Sequence, residues 1–173
     1  MITRRLTKRV LLPLVLALSI SCGGGTLLRS FRIALASSGP LVTSLAASGA
    51  IPQGKMSALI TDFDTGSQCG LTLQNQFKAI PSTLAVSDQR SRKLQASQAA
   101  LQCFQAVVSH QNFALHPRTQ KVASVAEGIL ASLVAFYSES SGDPTSAVAG
   151  LSEDEFEKRL SKRVDELKAA MKP

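Results

Sequence analysis

The sequence lacks the constellations that usually carry chemistry. None of its serines lies in a Gly-x-Ser-x-Gly elbow, it has no His-Glu-x-x-His pair, and it has no glycine loop of the phosphate-cradling kind. It holds two histidines and three cysteines, with no spacing that suits a metal ligand set. Internal repeats are missing too. These absences argue against a hydrolase, a zinc protease or a nucleotide-binding enzyme, and no catalytic residue, metal or cofactor is expected. Near the N-terminus a long hydrophobic run is also lacking: Val10 to Ile20 supplies only about half of the ~20 apolar residues that a membrane-spanning helix needs.

What stands there instead is a leader. Arg4, Arg5, Lys8 and Arg9 precede the apolar run Val10 to Leu18, the charged and hydrophobic regions of a signal peptide. The run Leu18-Ser19-Ile20-Ser21-Cys22, followed by Gly23, Gly24 and Gly25, resembles the lipobox of bacterial lipoproteins. The resemblance implies that the thiol of Cys22 receives diacylglycerol and that Cys22 becomes the mature N-terminus. Ser19-Ile20-Ser21 also satisfies the small-x-small rule of ordinary signal peptidase, which cuts the same bond and yields a secreted or soluble periplasmic protein. The glycine triplet favours the lipid, because a flexible tether lets a folded body stand clear of the bilayer.

Cleavage changes the charge argument. The chain has 19 Lys and Arg against 12 Asp and Glu; without the four basic leader residues the mature protein carries a net +3. The sequence pI of 9.7 is therefore largely a targeting signal, and no nucleic-acid partner is expected.

Apolar spacing predicts an all-α fold, an antiparallel bundle of four helices plus a charged amphipathic C-terminal helix. The divisions are 1–21 signal peptide, 22–25 lipidated Cys22 and glycine tether, 26–137 bundle, 138–151 linker and 152–173 last helix. Leu27 to Ala47 reads as helix interrupted at Gly39-Pro40 and closed by Gly49. From Pro52 to Ile80, Met56, Leu59, Ile60, Phe63, Leu73 and Phe77 recur at helical spacing. Leu94, Ala100, Leu101, Phe104 and Val107 form the next stripe, with Ser87 or Asp88 as its expected N-cap. The segment Pro117 to Tyr137 is apolar nearly all round and is expected at the centre of the bundle; its internal charge, Glu127, argues against a membrane span. Ser152 and Glu155 form a capping box ahead of the seam Phe156, Leu160, Val164, Leu167 and Met171.

The individual polar residues each suit an ordinary structural role. Asp62-Phe63-Asp64-Thr65-Gly66 has the alternating carboxylates of a calcium loop, but Ser67 and Leu73 stand where that loop needs glycine and glutamate, so a polar helix face is expected. His110 and His116 flank a turn and suit turn and capping roles. Arg90, Arg92 and Lys93 read as a solvated basic face, with an anion or lipid-headgroup contact as the functional alternative. Glu127 is expected to be partly exposed or paired. With Cys22 taken by lipid, Cys69 and Cys103 remain as an even pair in an exported chain, which favours a disulfide. An ideal hairpin turning near Pro81 to Val86 sets Cys69 about five positions out of register with Cys103, so two free core cysteines fit as well.

Two functions follow as expectations. The first is a non-enzymatic envelope lipoprotein, held to a membrane by its lipid and acting on a protein partner or as a structural module. The second is a carrier or sensor of a small apolar ligand held between helices, which requires an apolar cavity of at least roughly 300 Å³.

Overall fold

The computed structural model describes residues 23–139 and 150–173, which form helices joined by short links. These are α1 (Gly23–Ala36), α2 (Gly39–Ala47), α3 (Gln53–Lys78), α4 (Val86–Val108), a 3-10 turn (Asn112–Leu115), α5 (Pro117–Ser138) and α6 (Glu153–Ala170), with no strand among the described residues. The all-α reading holds.

Local chemistry sets most boundaries. Pro40 occupies the first turn of α2. That helix ends in a Schellman motif, in which Gly49 at φ +71° donates to Ala46 and Ala50 donates to Leu45. Pro52 precedes α3 in extended geometry, and His116 does the same for α5, its Nδ1 accepting from Arg118 N at 3.1 Å. Ser152 and Glu155 form the expected capping box at the start of α6.

Two boundaries differ from the sequence reading. The glycine triplet forms the first residues of α1 rather than a free tether. Neither Ser87 nor Asp88 caps α4: Ala85 occupies the N-cap position, and its carbonyl accepts from Asp88 N and Gln89 N. The expected leader, residues 1–21, and Cys22 lie outside the described residues, as do residues 140–149 of the expected linker.

The packing also differs from four helices plus an appendage. α1 packs on α3, α3 on α4, α4 on α5, α5 on α6, and α6 returns to α1, which closes a ring of five. Successive neighbours are antiparallel. Gln74 and Ser67 of α3 reach Gly25 and Arg32 of α1, Arg90 at the start of α4 meets the end of α5, and Phe136 near the end of α5 stacks on Phe156 near the start of α6. Four reversals leave α6 running the same way as α1. The seam Phe156, Leu160, Val164, Leu167 and Met171 is buried in the common core, so the last helix is a wall of the ring and does not protrude.

The centre of the ring also moves. The sequence reading set Pro117 to Tyr137 there, but α3 touches α1, α2, α4 and the 3-10 turn, whereas α5 touches α4, α6 and the 3-10 turn. Although α5 is long and apolar enough to cross a membrane by length and composition, Val122, Ile129, Leu130 and Leu133 are buried in the core. Four phenylalanines, Phe31, Phe63, Phe104 and Phe113, fill the interior. Phe113 enters from the α4–α5 link and meets Phe63 edge-on at 4.8 Å between ring centroids.

Candidate functional site

Asp62 is the most deeply buried acid in the described chain, and the link between α4 and α5 explains it. One carboxylate oxygen faces His110 Nδ1 at 3.0 Å and the other accepts from Asn112 Nδ2 at 2.7 Å. Gln111 between them holds a left-handed φ of 61°, a costly conformation for a residue with a side chain. Thr119 completes the clamp: its hydroxyl lies 2.7 Å from Phe113 O and 2.8 Å from His116 O. Asp62 thus ties down the link that drives Phe113 into the core. Its acid partner in the sequence motif, Asp64, is exposed on the helix surface. The Asp62–His110 pair has the form of a base and its orienting acid, yet the adjacent hydroxyl of Ser109 is bonded to Ala106 O at 2.6 Å.

His116 serves as a helix cap, and no group of three or more His, Cys, Asp or Glu converges among the described residues. Glu127 accepts from Gln105 Nε2 at 2.8 Å near the surface. Cys69 and Cys103 are bridged, with Cα atoms 5.9 Å apart. The register problem is met by an uneven turn. From the bridge α3 continues nine residues to Lys78 while α4 reaches back seventeen to Val86. At about 1.5 Å per residue, α4 overhangs α3 by about 12 Å.

That overhang separates the three basic residues of the sequence motif. Arg90 donates to the carbonyls of Phe136 and Tyr137, the latter at 3.2 Å, so a cation caps the negative end of α5; it also lies 5.4 Å from the centroid of the Phe136 ring. Lys93 pairs with Glu153 at 3.0 Å over the Tyr137 ring. Burial, then the nearby carboxylates of Glu153 and Glu157, holds the Tyr137 phenol well above the usual tyrosine range, while Arg90 pulls the other way. Burial, then Glu153 and Asp154, raises Glu157 as well. Arg92 remains exposed and lines two open grooves: one of about 280 Å³ with Leu84, Asp88 and Gln95, and one of about 390 Å³ with Gln76, Ile80 and Ala99. Both grooves lie on the surface beside the overhang, outside the phenylalanine-filled interior.

The clamp and the Arg90 cap were invisible in the sequence because each joins residues about fifty positions apart. A single acid inside an apolar stripe, as at Asp62, is the one signal from which the clamp could have been found. Comparison with family models, with curated proteins and with solved structures gives no match for this chain.

Proposed function

We propose that this chain is an exported, lipid-anchored module of the cell envelope, non-enzymatic, acting as a structural or protein-interaction unit at a membrane surface. The observation that carries the reading is the position of Cys22: a basic and then apolar leader ends at this cysteine, one residue before the first helix of the folded ring. The Cys69–Cys103 bridge supports export independently, since disulfides persist in oxidising compartments. The reading as a non-enzyme is supported by the way the polar groups are used. Asp62, His110, His116 and Arg90 all serve links and helix ends.

The apolar seam of α6 is buried in the ring and is not available to a partner. The charged outer faces of the ring carry that part of the proposal. Mass spectrometry of the native N-terminus is the test, together with fractionation of the Cys22→Ser variant. A diacylglyceryl group on Cys22, with loss of membrane association in the variant, is the expected result. An unmodified Cys22 overturns the anchor and leaves a secreted protein.

A further inference from the structure

We propose that the turn between α3 and α4, residues 79–86, is the membrane-facing tip of the anchored protein, seating apolar side chains at the headgroup level of a phospholipid bilayer. The inference rests on the anchor at Cys22 and adds an orientation to it.

The first observation is where the anchored end lies. Gly25 O accepts from Gln74 Nε2 at 3.4 Å, which sets the start of α1 beside the last turns of α3. Gly23 is the first residue of α1, so the described chain enters the ring at this pole. The proposed anchor immediately precedes that helix in the sequence, so the anchored end of the ring is the pole where α3 ends and α4 begins.

The second observation is what else stands at that pole. The α4 overhang reaches about 12 Å past the end of α3. Its leading residue is Val86, 81% exposed, far more than the next large exposed hydrophobic residue, Ile33 at 46%. Ile80, Pro81 and Leu84 in the same turn are exposed or half-buried. A folded domain gains nothing from holding such a tip in water, and interfacial segments gain by burying apolar groups about 5–10 Å into the headgroup boundary.

Charge agrees with the apolar pattern. Lys78 and Arg92 flank the tip, both exposed, with no ion pair to either among the described residues. Arg92 lines both grooves beside the turn, where a headgroup phosphate fits a guanidinium. Asp88 is the acid in the first turn of α4. The acidic start of α6, Glu153 to Glu155, belongs to the α5–α6 side of the same pole, so an α3–α4 edge tilted toward the bilayer meets lipid with its basic residues and keeps those acids in water.

The test uses the full acylated protein reconstituted into vesicles of phosphatidylethanolamine and phosphatidylglycerol at 3:1. Val86→Cys, and Lys121→Cys at the opposite pole, are each labelled with an environment-sensitive fluorophore. We expect a blue-shifted emission at position 86 and at least about three-fold stronger quenching by spin-labelled lipid than at position 121. A water-exposed label at position 86 in vesicle-bound protein overturns the tip. So does a label shielded before any vesicle is added, in a protein that sediments as a dimer, since a second copy then covers the turn. The anchor is read separately from the mass of Cys22. If Cys22 carries no lipid, the secreted chain is floated with the same vesicles. Binding weakened at least about five-fold by Val86→Asp with Arg92→Glu keeps the tip, and no binding overturns it.

Discussion

Gly66 of α3 faces Phe104 of α4 so closely that a β-carbon at position 66 stands 2.8 Å from the ring carbon Cε2. Phe104 is fully buried and also lies against Phe113, so the ring has little room to retreat. Overpacking of this kind costs about 1–3 kcal/mol, and the better helix propensity of alanine offsets about 1 kcal/mol of it. Gly66→Ala should therefore lower stability to guanidinium, by up to about 2 kcal/mol. Adding Phe104→Leu should reduce the penalty of the glycine change; strictly additive losses in the double variant refute the steric account.

Removing the Cys69–Cys103 bridge should destabilise the protein by about 3–4 kcal/mol in the chain-entropy model, since the bridge spans 34 positions. The comparison is of denaturant midpoints with and without reductant. Peptide mapping after thiol labelling of the unfolded, unreduced protein decides the covalent state, and free thiols at both positions contradict the bridge.

Alkaline pH should unfold the protein through Tyr137. Its phenol is raised in the folded state, so the folded protein holds a proton that the unfolded chain releases near pH 10. The resulting stability is fully present below about pH 10 and declines above it, by up to about 1.4 kcal/mol per pH unit until the folded phenol itself titrates. The chain has one tyrosine and no tryptophan, so tyrosinate absorbance reports this residue alone. We expect that absorbance to appear together with the loss of helical circular dichroism. Tyr137→Phe should flatten the alkaline limb. A tyrosinate signal near pH 10 in fully helical protein counts against the burial of the phenol.

Asp62→Ala should loosen the link between α4 and α5, because His110 and Asn112 both lose their acceptor. The expected loss is about 1–3 kcal/mol. Hydrogen exchange should show faster amide exchange in residues 110–119 than in α1. A variant with wild-type stability and exchange shows that the clamp contributes nothing.

The helices themselves were legible because their signals are local. Pro52 and Pro117, the positive-φ Gly49 and the Ser152–Glu155 box mark ends that short-range chemistry determines. The closure of the ring was not legible. The seam of α6 reads alike whether it lies on this bundle or on a partner, and periodicity gives the face of a helix without naming its neighbour. The same limit hid the buried polar residues of α3. Ser67 donates to Arg32 O and Gln74 to Gly25 O, across to another helix, so a face that reads as polar is in fact covered by α1. The candidate sites were legible only as residue types. Arg90 looked like one of three similar cations until the overhang of α4 set it against the carbonyls of α5.

The contact of α6 with α1 joins the two extremes of the described chain. A ribosome delivers the chain from its N-terminal end, so the side of α1 that α6 covers stays open until the last helix has emerged, even after α1 has met α3. Such a ring cannot close early. A chain whose ring is closed by its final helix stays threadable until that helix has emerged.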